Sequence, residues 1–208
     1  MKYSHILWDW NGTLLNDVDC AVASVNEILL QNGLPATDYD TYVQTMEYPL
    51  DVYYRKLMGD YDYHAVMEQF QQGYAAHFNS VQLSQGARET LEAFQAAGVR
   101  QFIVSAFEQT RLLQYVKRFS IAQYFEQISG ANDILVGSKS DRARKILGDT
   151  APNDAVFIGD TVSDYQTAQE IGCDCILYSG GHQHRSSLTG LGCPVAETMK
   201  QIVALCME

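Results

Sequence analysis

Positive charge is scarce in this chain. Fourteen Lys and Arg stand against 25 Asp and Glu, a formal net charge of −11. Such a molecule repels phosphodiester backbones and anionic lipid, and no Lys/Arg cluster supplies a nucleic-acid footprint. Nucleic acid and membranes are therefore not expected partners. Long apolar runs are missing too: no stretch approaches the roughly 18 residues of a membrane span. The N-terminal segment has one Lys, no apolar h-region, and a charged Asp9 where such a region would lie. The expected compartment is the cytoplasm. Proline is rare, at four residues, and there is no repeat or low-complexity tract. The five cysteines, at 20, 173, 175, 193 and 206, are odd in number and follow no pattern. They fit buried reduced thiols better than a disulfide framework, and Cys173 and Cys175 lack further Cys or His at zinc spacing.

What the chain has is apolar content, 47% over 208 residues, enough to bury a sizeable core and near the size at which one domain accepts an inserted second one. Apolar runs of strand length alternate with helical periods, the pattern of βαβ units around a parallel sheet. The predicted strands are 4–9, 99–105, 126–129, 155–159 and 173–178. Between them, "ARETLEAFQAAG" places Leu91, Phe94 and Ala97 on one helical face and stops at Gly98. "TRLLQYVKRF" and "DYQTAQEIG" read the same way, the second closed by Gly172. The expected class is α/β, a doubly wound, Rossmann-like three-layer sheet. From about 17 to 82 the alternation stops, and only helical periods rich in Tyr and Gln appear. We read 1–16 and 83–208 as the core and 17–82 as an inserted all-helical cap, leaving the core where open α/β sheets bind ligands.

Three strand ends carry chemistry. Asp9 follows "SHILW", Ser105 ends "QFIVS", and Asp160 follows "AVFIG", with Asp164 one helical turn further on. Converging carboxylates and backbone carbonyls suit a small hard cation, Mg²⁺ being the usual one. Lys139, in "GSKSDR", can set a fixed positive charge against a phosphoryl group. Plainer readings exist: Asp9 and Asp160 as helix N-caps, Asp164 and Lys139 as solvated surface, with Arg142 and Lys145 as rivals of Lys139, and Gly12 and Thr13 as turn residues. Two acids at strand ends together with Ser105 and Lys139 favour a site.

Asp9-Trp10-Asn11-Gly12-Thr13, then Ser105, then Lys139, then "GDTVSD" at 159–164 resemble the four ordered motifs of the haloacid dehalogenase superfamily. More narrowly, they resemble its phosphoglycolate-phosphatase-like members, which carry a helical cap between the first and second motifs. The resemblance spans most of the chain. It implies a Mg²⁺-dependent phosphatase acting on a small phosphorylated metabolite through an aspartyl-phosphate on Asp9. Asp9, the Asn11 backbone carbonyl and Asp160 would hold the metal. Gly12, Thr13, Ser105, Ala106 and Lys139 would bind phosphate, and Asp164 would anchor Lys139 or a metal-bound water. Monomer and homodimer are equally compatible with the sequence.

One position departs from that pattern. Asn11 stands where the phosphatases carry a second Asp that protonates the leaving oxygen, a service worth roughly 10² to 10⁴-fold. An amide cannot perform it. Either another group supplies the proton, or the activity is weak or restricted to leaving groups that need none, or the protein is a phosphate-binding regulator without catalysis. Cleavage of C–P or C–halogen bonds is a further option, the halide-releasing one opposed by the intact acids of "GDTVSD". His182 and His184 in "SGGHQHRSS" are candidate proton donors, Lys56 a remote candidate for Schiff-base chemistry, and Tyr48, Tyr53, Tyr54 and Arg55 candidate selectors of substrate.

Overall fold

The computed structural model describes residues 1–131 and 138–207. Its strands are β1 (His5–Trp8), β2 (Leu15–Asn16), β3 (Gln82–Leu83), β4 (Arg100–Glu108), β5 (Gln127–Ala131), β6 (Ala155–Gly159), β7 (Asp174–Tyr178) and β8 (Val195–Ala196). The helices are α1 (Val18–Gln31), α2 (Tyr39–Thr45), α3 (Leu50–Met58), α4 (Tyr63–His77), α5 (Ala87–Ala96), α6 (Gln109–Arg118), α7 (Ser140–Leu147), α8 (Val162–Ile171), α9 (Arg185–Leu188) and α10 (Met199–Met207). Six strands form one parallel sheet in the order β5-β4-β1-β6-β7-β8. β1 lies between β4 and β6, where the winding direction reverses and a crevice opens beyond the carboxyl ends.

Alternation along β1 explains the two covered faces. Ile6 and Trp8 belong to the hydrophobic cluster under α5, α6 and α10, whereas Leu7 joins Val104 and Phe157 in the cluster under α7 and α8. All three β1 residues are fully buried, and each such side chain contributes about 1.5–3 kcal/mol relative to exposure. The doubly wound α/β class expected from the sequence is the one observed. Strand β4 runs three residues past its predicted end, through an irregularity between Val104 and Glu108. β8, β2 and β3 went unpredicted, since two-residue strands have no readable period.

Helices α1 to α4 bury a cluster of their own, built on Val18, Val25, Tyr42, Tyr53, Tyr54 and Met67. At the ends of this stretch β2 and β3 pair antiparallel, Leu15 opposite Leu83 and Asn16 opposite Gln82. Asp38 and Asp62 cap α2 and α4 by accepting backbone N–H bonds from Thr41 and from His64 and Ala65. The five cysteines are free thiols, four of them buried. No helix of the described residues is long and apolar enough to cross a membrane.

Candidate active site

β1 and β6 end side by side, so the residues that follow them are delivered together. Asp9 leaves β1 with its N–H still bonded to the Ile158 carbonyl at 2.8 Å, and Asp160 leaves β6. Oxygens of Asp9, Asp160 and Asp164 lie within 4.8 Å of one another, and all three residues are buried. Lys139, just ahead of α7, reaches into this group: its Nζ is 2.6 Å from Asp9 Oδ1 and 2.7 Å from Asp164 Oδ1. Arg142 instead donates to the Ser105 carbonyl at 3.0 Å, and Lys145 is exposed.

Asp164 does two jobs with its two oxygens. While Oδ1 takes Lys139, Oδ2 accepts from Thr161 Oγ1 at 2.7 Å and from the Thr161 and Asp160 N–H groups, completing a capping box at the start of α8. Thr161, not Asp160, is the N-cap of that helix. Asp160 is left to face the crevice, with Oδ1 accepting from Thr13 Oγ1 at 3.0 Å and Oδ2 from the His182 N–H at 2.7 Å. Gly12, at φ +71°, lies so close that a Cβ there would collide with the Asp160 carboxylate and the His182 ring.

Three carboxylates against one ammonium leave an excess of negative charge in a buried place where solvent screens it poorly. Burial, reinforced by Asp164 and Asp160 against the pull of Lys139, pushes Asp9 well above the ordinary carboxylate range. Burial likewise raises Asp160 to about 6. Burial also works against the charge on Lys139, but Asp164 and Asp9 outweigh it and hold the ammonium above the usual lysine range. Hard oxygen donors with uncompensated charge suit a divalent cation of the Mg²⁺ type.

Asn11 engages its side-chain amide with Asp17 and Tyr74. Its Nδ2 donates to Asp17 Oδ2 at 2.7 Å and to the Tyr74 hydroxyl at 3.0 Å. Asp17, buried at the start of α1, also accepts the Gly12 N–H and the Tyr74 hydroxyl, each at 2.7 Å, and pairs with His182 Nε2 at 3.3 Å. Burial disfavours the Asp17 charge, but His182, Asn11 and Tyr74 more than offset it, and its pKa is lowered. Burial disfavours the imidazolium as well, yet Asp17 raises His182 to about 9.

A family model described as "Haloacid dehalogenase-like hydrolase" matches residues 6–178. The chain belongs to the haloacid dehalogenase-like hydrolase family. Among curated members, a phosphoglycolate phosphatase of Pseudomonas fluorescens (strain Pf0-1) is 26% identical over 212 residues, 95% of this chain and 75% of the relative. Among solved structures, a haloacid dehalogenase-like hydrolase from Streptococcus pneumoniae superposes with a TM-score of 0.84 at 20% identity, covering 98% of each chain. Protein Tyrosine Kinase A of Mycobacterium tuberculosis reaches 0.82 at 22% identity, over 99% of this chain and 98% of that one. A shared fold thus accompanies differently named activities, so the substrate has to be argued from the site.

Against the family's motifs, the remaining expected residues fall as follows. Ala106 lines the crevice beside Lys139. Ser105 is buried, with its Oγ accepting the Phe107 N–H at 3.0 Å, and the register of β4 on β1 sets it one step beyond the level of Asp9. Thr13 serves Asp160 through its hydroxyl. His184 is exposed and caps α9, and Lys56 is exposed and paired with Glu47, so neither reaches the carboxylates. Tyr48, Tyr53 and Tyr54 line a cavity next to the site, whereas Arg55 is exposed and paired with Asp51. Sequence reasoning missed Asp17 and Tyr74. The available signal for Asp17 was a second acid, six residues after an amide that stands where an acid was expected.

Proposed function

We propose that this hydrolase is a Mg²⁺-dependent phosphatase of small phosphorylated metabolites, with Asp9 as nucleophile. The observation that carries the reading is Lys139 bridging Asp9 and Asp164 beside Asp160, a positive point held among carboxylates at the crevice. The Asp9 and Asp160 carboxylates and the Asn11 backbone carbonyl would hold the metal, whose charge, when bound, favours the ionised Asp9 and neutralises phosphoryl oxygens. Asp9 attacks phosphorus, forming an O–P bond to its carboxylate as the bond to the leaving oxygen breaks, and the leaving group departs with that electron pair. Water then attacks the aspartyl-phosphate, releasing phosphate and restoring the carboxylate. Lys139 holds Asp9 in place and offers its charge to the transferring group, Asp164 fixes Lys139, and the Ala106 segment borders the phosphoryl position. Residues 17–82 act as the cap that excludes water.

Relatives described as phosphoglycolate phosphatases support the reaction class. The test is phosphate release from 4-nitrophenyl phosphate with Mg²⁺ or with EDTA, for wild type and Asp9→Asn. Turnover that needs both Mg²⁺ and Asp9 is the expected result. A wild type that binds Mg²⁺ and inorganic phosphate without turnover would replace the phosphatase with a regulatory binding protein.

A further inference from the structure

Beside the carboxylates lies a cavity lined by α1 to α4 and the crevice edge, with a volume of about 90 Å³. At roughly 10–15 Å³ per water, that is room for several waters or for one ring of similar bulk. Asn11 and Ala106 form its boundary with the site, and its walls include Tyr54, Met67, Phe70 and Phe107. No Lys or Arg lines it among the described residues. The charges it does contain are Asp17 and His182, and they are paired with each other. Tyr53, a further wall residue, has a buried hydroxyl with no hydrogen-bond partner among the described residues.

Two separate features then bear on what leaves phosphorus. The first is the wall: a leaving group that carries a charge of its own besides the departing oxygen would bring it into a largely apolar chamber lined by no Lys or Arg, with Asp17 already there and His182 paired to it, a costly transfer. The second is the missing acid. Asn11 has no acidic proton, the oxygens of Asp17 are taken up as acceptors for Asn11, Gly12 and Tyr74, and both ring nitrogens of His182 are engaged, by Asp17 and by the Tyr42 hydroxyl at 3.0 Å. The leaving oxygen departs unprotonated, which a phenolate tolerates and an alkoxide does not.

We propose that the preferred substrates are phosphate monoesters of uncharged aromatic alcohols, with the phosphate at Lys139 and the ring in this cavity. The inference rests on the phosphatase reading and narrows its substrate class. It sets this chain apart from relatives named for phosphoglycolate, whose leaving group is a carboxylate-bearing alcohol.

The experiment compares kcat/KM for phenyl phosphate, benzyl phosphate and 2-phosphoglycolate in Mg²⁺, and binding of benzylphosphonate and phosphonoacetate by calorimetry. Phenyl phosphate is expected to exceed phosphoglycolate by about 100-fold or more. Benzyl phosphate is expected to match phenyl phosphate in KM but fall about 10² to 10⁴-fold in kcat, because its leaving group needs the proton. Benzylphosphonate should bind more tightly than phosphonoacetate. Gln71→Lys, at a half-buried lining position where Arg111 now donates to the side-chain oxygen at 2.7 Å, adds a second cation there and should raise the affinity for phosphonoacetate and narrow the gap. Preference for phosphoglycolate, or tighter binding of phosphonoacetate to wild type, overturns the inference while leaving the phosphatase reading intact. Absence of turnover on every ester, 4-nitrophenyl phosphate included, overturns the phosphatase reading, and the two phosphonates then decide whether the cavity selects aromatic groups.

Discussion

Asn11→Asp is the substitution that family resemblance invites, and the structure predicts that it destabilises the protein. The new carboxylate would sit where the amide now donates 2.7 Å from Asp17 Oδ2, turning a hydrogen bond into a contact of like charges. Two charges at that distance repel by about 6 kcal/mol at an effective dielectric of about 20. Taking up one proton instead costs about 4 kcal/mol at pH 7 and about 1.4 at pH 5, from an ordinary carboxylate pKa near 4. Protonation is therefore the cheaper route. The hydrogen bond it creates to the remaining carboxylate is worth about 1.5–3 kcal/mol, as is the amide hydrogen bond it replaces, leaving a net loss of about 4 kcal/mol at pH 7 and about 1.4 at pH 5. Urea denaturation in EDTA at pH 5, 7 and 8 measures this directly, and the deficit should grow with pH. The exchange Asn11→Asp/Asp17→Asn keeps one acid and one amide facing each other and should recover part of the loss, the pairing of Asp17 with His182 being given up, a coupling that a double-mutant cycle isolates. A single variant as stable as wild type at pH 8, or an exchange no better than the single variant, would refute the reasoning.

Removing the ammonium has a different signature. Lys139→Met strands three buried carboxylates and should lower stability in EDTA by about 3–5 kcal/mol, with part of the loss restored by Mg²⁺ and aryl phosphate turnover down by about 100-fold or more. Gly12→Ala combines a positive φ with collisions against Asp160 and His182. It should abolish the calorimetric signal of Mg²⁺ binding and lower the thermal midpoint. The ion pair between Asp17 and His182 makes stability depend on pH. His182, raised to about 9, contributes fully below its ordinary value of 6.5, and the contribution drains away as pH climbs through about 9. Asp17, lowered, contributes above the ordinary carboxylate value and is lost only as acid reaches its folded pKa. In EDTA the urea midpoint of wild type should exceed that of His182→Gln most between about pH 4 and 6.5. The gap should narrow above about pH 9, and a gap independent of pH would remove the imidazolium from the account.

The legible parts of this molecule are local ones. A strand buried on both faces must be a short apolar run, so 155–159 could be read to the residue, and the acid that follows it was visible as a strand-end acid. The fate of a side chain within a helical stretch is not local. Tyr74 and Asp17 are 57 residues apart and meet because α1 and α4 pack together, a register that helical periodicity does not specify. The same limit applies to Ser105. Its strand continues to Glu108 because the chain bulges there, and period alone does not mark the bulge.

The paired strands β2 and β3 have a bearing on how such a chain is assembled. Leu15 opposite Leu83 and Asn16 opposite Gln82 bring the two ends of a long excursion to neighbouring positions. The entropy of closing that excursion is met within the core and grows only slowly with what is spliced between the ends. A helical module of another length or shape can therefore be grafted at this seam without moving Asp9 or Asp160, and the core can keep its chemistry while its clientele changes. Asp17 lies one residue past the seam and is bonded to Asn11 and Gly12 on the core side. Any exchange that removes it leaves the amide at position 11 without the carboxylate it now donates to, so in this chain the fit of that amide depends on what is spliced in at the seam.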